Sequence, residues 1–71
     1  MTDRIVVVTL HRRSYIVFVS DDPDDARDAY GYWTAQVARS GASAVVELRE
    51  DGRTLDAAEY ADGHRVLGAV E

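Results

Sequence analysis

Two short apolar runs separated by a polar gap lie near the start of the chain. Both runs are rich in Val, Ile and aromatic residues, which favour strands. They predict a hairpin with strands over Arg4–Leu10 and Tyr15–Ser20. A two-residue turn at Arg12-Arg13 would require positive φ at both arginines. We therefore expect a four-residue loop over His11–Ser14.

The predicted hairpin carries apolar side chains on both faces. Its register pairs Leu10 with Tyr15, and this pairing sorts the side chains into two sets. One face carries Val6, Val8, Leu10, Tyr15, Val17 and Val19. The other face carries Ile5, Val7, Thr9, Ile16, Phe18 and Ser20. A sheet with one wet face alternates apolar with polar residues, so we expect both faces of this hairpin to be covered.

A helix with clear end signals follows the hairpin. Asp22 is a good N-cap residue and Pro23 suits the first helical position, while Gly41 is a plausible residue after the last turn. These signals predict a helix over Pro23–Ser40. Its apolar stripe consists of Ala26, Tyr30, Trp33 and Val37. The helix is long enough to cover one face of the hairpin.

The last third of the chain predicts a second hairpin. Residues 44–50 form a strand candidate, and Asp51-Gly52 is a strong signal for a type I′ turn. This turn pairs Glu50 with Arg53, Leu48 with Leu55 and Glu47 with Asp56. The last pair is like-charged, so we expect regular pairing to weaken there. A short helix over 56–61 and a weaker last strand over 64–70 would follow.

These elements predict one small α+β domain over residues 1–71. We expect an antiparallel sheet of three to five strands, with one main amphipathic helix packed on one face, in the order β-β-α-β-β. The helix leaves the second sheet face bare. Either the C-terminal segment covers it, through Tyr60, Val66, Leu67 and Val70, or a second copy of the chain does. We favour the second copy, packed sheet on sheet as a homodimer.

The absence of cysteine and the negative net charge restrict the kinds of chemistry and partner that we expect. The 71 residues have no cysteine and a net charge of −5, so disulfides and thiolate chemistry are excluded and nucleic-acid or membrane binding is disfavoured. The chain shows no apolar run of bilayer length and no signal peptide, which predicts a cytoplasmic protein. All eight basic residues are Arg, which together with many Ala, Val and Gly indicates a GC-rich bacterium or its phage.

Candidate chemistry for a reaction is scarce. His11 and Ser14 are close in sequence, but nothing near them would orient a catalytic pair. The acidic run Asp21–Asp28 lacks the spacing of a calcium loop, and the glycines are scattered singly. The sequence therefore predicts a non-enzymatic protein without a metal or a cofactor.

Residues that could contact a partner fall into three groups. Arg12 and Arg13 are the concentrated basic feature, and Tyr15 follows them. Tyr32 falls on the polar side of the helix, where an exposed tyrosine suits an interface. The third group is the acidic residues near the helix start. The full set of partner-binding candidates is Arg12, Arg13, Tyr15, Tyr32, Asp24, Asp25 and Asp28.

Three functions are open at this point. The first is a protein-interaction or regulatory module, homodimeric or bound to another protein. The second is an acidic inhibitor that fills the basic cleft of a nucleic-acid-binding protein. The third is nucleic-acid binding through the Arg12-Arg13 tip, which the net charge opposes.

Overall fold

The computed structural model describes residues 3–67, which contain five strands and one helix. The elements are β1 (Arg4–Leu10), β2 (Arg13–Ser20), α1 (Pro23–Ser40), β3 (Ala44–Glu50), β4 (Arg53–Ala61) and β5 (His64–Leu67). The strands form one antiparallel sheet in the order β2-β1-β3-β4-β5, and α1 packs on one face of it. The predicted α+β class and the order of elements are confirmed.

Both ends of α1 are set by local chemistry, as the sequence predicts. The Asp22 side chain accepts hydrogen bonds from the backbone N–H groups of Asp24 at 2.9 Å and Asp25 at 3.4 Å. Pro23 starts the helix, and Gly41 ends it in the left-handed conformation with φ of 70°. The Asp22 carboxylate thus binds N–H groups that the first turn leaves unpaired, and glycine accepts the left-handed conformation that ends the helix.

The core lies between α1 and the central strands. Val6, Val46 and Leu48 are the largest fully buried side chains, and all three are on the sheet face that α1 covers. From the helix, Ala26, Tyr30 and Val37 pack against them. We call the opposite side of the sheet the open face.

The predicted loop of the first hairpin is wrong. β1 and β2 are joined by a two-residue turn at His11-Arg12, with φ of 52° and 67°, and Leu10 pairs with Arg13 rather than with Tyr15. Positive φ at two non-glycine residues costs free energy. The long pairing of β1 with both β2 and β3 holds the turn in place nevertheless.

A β-bulge in β2 also changes which side chains share a face. Val7 pairs with Ile16 and Val6 with Phe18, so Val17 is the extra residue between them. Beyond the bulge, Phe18 faces α1 and Val19 faces away, the reverse of the predicted arrangement. A one-residue slip exchanges the two faces of a strand.

The second hairpin has the predicted turn but not the predicted continuation. Asp51 and Gly52 have φ of 55° and 76°, and Glu50 pairs with Arg53. Leu55 is then an extra residue, and Leu48 pairs with Asp56. The like-charged pair does not form, because the bulge moves Asp56 to the helix side. The expected helix over 56–61 is wrong, since this segment is the second half of β4.

The C-terminal segment, as far as Leu67, extends the sheet instead of covering it. Tyr60 is buried against α1, and β5 pairs with β4 at the sheet edge with Val66 exposed. The last strand begins at His64, as predicted, and residues 68–70 of that prediction, including Val70, lie outside the described residues. Within residues 3–67, therefore, no segment lies over the open face.

Candidate protein-interaction site

Exposed apolar side chains are concentrated on β2 and on the neighbouring flank of α1. Within residues 3–67, the large hydrophobic side chains with most exposure are Tyr15 (48%), Ile16 (63%), Val19 (54%), Tyr32 (57%) and Val66 (57%). Three of them belong to β2, which forms one edge of the sheet. An apolar edge strand is a surface on which another chain can pair or pack.

β2 carries apolar side chains on both faces, and the bulge at Val17 decides which face Phe18 and Val19 occupy. Ile16 and Val19 point to the open face, while Tyr15 and Phe18 point to the face that α1 covers in part. Val17 itself packs against the core. β2 is therefore apolar above and below the sheet at the edge of the molecule.

We define the aromatic surface as Tyr15, Phe18, Tyr32 and Trp33. Two hollows adjoin it, and Trp33 lines both. One hollow is bordered by Phe18, Tyr32 and the acidic side chains of Asp25 and Asp28. The other lies toward the C-terminal end of α1, where Leu10, Val8 and Arg39 line it. Tyr15 stands opposite Val8 on the same sheet face.

Tyr32 and Trp33 are held in a defined arrangement. Their ring centroids are 5.6 Å apart with the planes at 90°, an edge-to-face contact. The Gln36 side chain donates a hydrogen bond to the Tyr32 hydroxyl at 3.0 Å. Because the exposed ring is already supported on two sides, it would lose little conformational freedom on binding.

The structure brings together part of the predicted partner-binding set. Tyr32, Asp25 and Asp28 border one hollow, and Tyr15 belongs to the same surface. Asp24 is exposed in the first turn of α1, Arg12 lies in the first hairpin turn, and Arg13 begins β2 opposite Leu10.

Two residues of the aromatic surface were missed by the sequence analysis as interface candidates. Phe18 was assigned to the other sheet face, because the bulge at Val17 leaves no local sequence signal. Trp33 was assigned to the core stripe, and it does pack against the core, but it stays half-buried at the mouth of both hollows. Its size is the available signal, since the large tryptophan ring is rarely fully buried.

The other flank of α1 carries a different cluster. Arg27 Nη1 and Asp56 Oδ2 form an ion pair at 2.8 Å, and the Arg27 guanidinium lies 6.0 Å from the Tyr30 ring centroid. The Tyr30 hydroxyl is buried and has no hydrogen-bond partner among residues 3–67. Burial raises the pKa of Tyr30 to about 12, and the negative charge of Asp56 adds to the rise. This cluster joins the helix to β4.

Catalytic and metal-binding chemistry gain no support from the arrangement of the described residues. Ser14 shares a hydrogen bond of 3.0 Å with the Thr9 hydroxyl, while His11 is exposed in the turn. No three potential metal-ligating side chains converge between residues 3 and 67. In the same range, no helix has the length and apolar character needed to cross a membrane.

Comparison with known proteins gives no relative from which to transfer a function. No family model, no curated protein and no solved structure matches this chain. Function is therefore inferred from the chemistry of the surface.

Proposed function

We propose that the protein is a non-enzymatic protein-interaction module that works as a homodimer. The observation that supports it most is the concentration of exposed apolar side chains around β2, an edge strand. Tyr15, Ile16, Val19 and Tyr32 are each about half exposed or more. Scattered apolar residues are normal on a protein surface, but their concentration around one edge strand and the helix flank beside it favours an interaction site.

The size of the domain makes association favourable. Burial of apolar surface contributes about 25 cal/mol per Å², and a domain of this size has only about 3–5 kcal/mol of stability to draw on. A partner that covers Tyr15 and Tyr32 would add directly to the stability of the fold. Tyrosine and tryptophan are enriched in interfaces because they combine apolar area with a polar tip.

The measurement that tests the proposal is the mass in solution. Sedimentation velocity over about 1–200 µM protein, a range that resolves micromolar dissociation constants, should show the mass rising from 7.9 kDa toward twice that value. Tyr32→Ser removes the more exposed of the two tyrosine rings and should keep the protein monomeric.

A matched control is available at the opposite edge of the sheet. Val66 on β5 has the same fractional exposure as Tyr32, so Val66→Ser likewise removes an exposed apolar side chain and should leave the dimer intact. A parent protein that stays monomeric over the whole concentration range would refute the homodimer. Circular dichroism confirms that each variant remains folded.

A second candidate is the acidic inhibitor of a basic cleft. Asp21, Asp24, Asp25 and Asp28 are all exposed, while Asp22 is engaged at the helix start. Asp24→Asn with Asp28→Asn lowers the negative charge and keeps the N-cap. If such a variant loses binding to a basic partner protein while the solution mass of the free protein is unchanged, the inhibitor proposal gains over the homodimer.

A further inference from the structure

We infer that two copies of the chain associate through the flank of α1 beside the aromatic surface, with their helices antiparallel and the two-fold axis at Tyr32. This inference rests on the proposed homodimer and names its interface. The occupant of the flank is thus a second copy of this chain. Charge complementarity along the helix supports that choice.

One stripe of α1 carries the residues concerned. Asp25, Asp28, Tyr32, Gln36 and Arg39 follow one another at intervals of three or four residues, which places them on one side of a helix. All are exposed except Gln36, which is half-buried. The stripe borders the aromatic surface, because Asp25, Asp28 and Tyr32 line one hollow and Gln36 and Arg39 line the other.

When two copies of the stripe run antiparallel, the charged and polar side chains of one copy are complementary to those of the other. Asp25 and Arg39 lie seven residues before and after Tyr32, and Asp28 and Gln36 lie four before and after it. A two-fold axis at Tyr32 therefore places each Asp25 against the Arg39 of the other copy. It also places each Asp28 carboxylate against a Gln36 amide, which can donate a hydrogen bond to it. Each pair forms twice, as a two-fold interface requires.

Antiparallel packing is the arrangement that the charges permit. Parallel helices would place Asp25 beside Asp25 and Arg39 beside Arg39, and each copy already carries a net charge of −5. Like charges brought together in an interface oppose association. Antiparallel helices also bring the positive end of one helix dipole to the negative end of the other.

The apolar centre of the contact is the Tyr32 pair. The Tyr32 ring is 57% exposed and is held by its edge-to-face contact with Trp33 and by the hydrogen bond from Gln36. Beside it lies the hollow bordered by Phe18, Ala29 and Trp33. The ring of the second copy can fill that hollow, which places apolar area at the axis and the charged pairs at the rim.

The open face is the weaker candidate because charged side chains lie on it beside the exposed Ile16 and Val19. Val7 and Ala57 are already buried there, at 5% and 8% exposure. Glu47 accepts a hydrogen bond from the Thr54 hydroxyl at 3.1 Å. Arg49 donates to the Gly52 carbonyl at 3.3 Å, while its Nε is buried without a partner among residues 3–67. A second copy on this face would bury the Glu47 and Arg49 side chains, and removing charged groups from water costs free energy.

Charge reversal provides the test. Asp25→Arg and Arg39→Asp, each alone, place like charges at both ends of the contact and should weaken self-association at least about tenfold. An equal mixture of the two variants restores opposite charges in the mixed pair, and so does the double variant in a single chain. Native mass spectrometry should show the mixed dimer, and sedimentation velocity should show recovery of the parent affinity.

The mixture also removes folding as an explanation. It contains the same two chains that fail alone, so recovery cannot come from repaired folding. Asp21→Arg and Arg12→Asp change the same charges outside the stripe and should leave self-association within about twofold of the parent. Failure of the mixture and of the double variant to recover would overturn the inference.

The same measurements separate this inference from the proposed function. If both single variants still dimerise, but Ile16→Thr with Val19→Thr does not, the interface is the open face. The helix arrangement is then wrong while the homodimer stands. If the parent chain is monomeric throughout, both proposals fail.

Discussion

At the residue scale, Gly63 fixes how closely the β4–β5 turn approaches the end of α1. Its φ is 81°, and its N–H donates to the Ala42 carbonyl at 3.1 Å. A Cβ atom at this position would lie 2.7 Å from the carbonyl oxygen of Ala38 and 3.0 Å from the Cα of Gly41. Both neighbours are backbone atoms in the helix end, so the turn would have to move.

We predict that Gly63→Ala lowers the free energy of unfolding by about 2 kcal/mol, from strain at positive φ and from overpacking. Urea unfolding followed by circular dichroism measures the change. Gly31→Ala is the matched control, because nothing lies within 4 Å of the added methyl and the site is helical. It should raise stability by about 0.5–1 kcal/mol. Equal effects at both positions would contradict this account.

At the element scale, α1 depends on a single capping side chain. The Asp22 carboxylate accepts from two backbone N–H groups, and its own N–H donates to the Ser20 hydroxyl at 3.0 Å. We predict that Asp22→Ala lowers stability by about 1 kcal/mol. In a domain of this size that change lowers the midpoint of thermal unfolding by about 4–8 °C.

The neighbouring Asp21→Ala serves as the comparison for the cap. Asp21 is exposed, precedes the cap and carries the same charge. Its removal should change the midpoint by less than half as much. If the two variants were equally destabilised, the charge near the helix start would matter rather than the capping hydrogen bonds.

The helix and the Asp51-Gly52 turn could be predicted because their signals are local. Asp22, Pro23 and Gly41 each favour their positions through their own backbone and side-chain chemistry. Glycine at the second turn position also accepts positive φ without strain. A few adjacent residues determine such features, so a single sequence is sufficient to predict them.

The first hairpin turn and the bulges could not be predicted because they depend on pairing across the sheet. His11 and Arg12 have no intrinsic preference for positive φ. The extra residue Val17 resembles its neighbours Ile16 and Phe18, so nothing in the local sequence marks it. The bulge at Leu55 turns Asp56 to the helix side, where it pairs with Arg27. These two residues are far apart in sequence, so the local sequence does not indicate the pair.

The same limit applies to the candidate site. Tyr32 could be identified from the helical pattern alone, because its position on the polar side depends only on helix geometry. Phe18 could not, because the bulge at Val17 decides which face it occupies. Helical periodicity determines the positions of Tyr32 and Trp33, whereas the register of β2 determines the faces that Tyr15 and Phe18 occupy.

At the scale of the whole molecule, the buried Tyr30 links folding to alkaline pH. Its hydroxyl lies among Arg27, Asp56 and Tyr60 without a described hydrogen-bond partner, and burial raises its pKa from 10.0 to about 12. The folded state therefore keeps the proton longer than the unfolded state does. Stability from this group is fully present below pH 10 and declines as the pH rises toward 12.

We predict that the free energy of unfolding falls by roughly 2 kcal/mol between pH 10 and 12 because of Tyr30. Tyr30→Phe removes this part of the fall and costs little at pH 7, since the hydroxyl that it deletes has no hydrogen-bond partner among residues 3–67. Urea unfolding at several pH values measures both effects. Tyr15→Phe, which deletes the hydroxyl of a residue that is 48% exposed, should keep the full decline of the parent. A decline of the same size in Tyr30→Phe would show that other groups cause it, and that the interior of this small domain tolerates a tyrosinate.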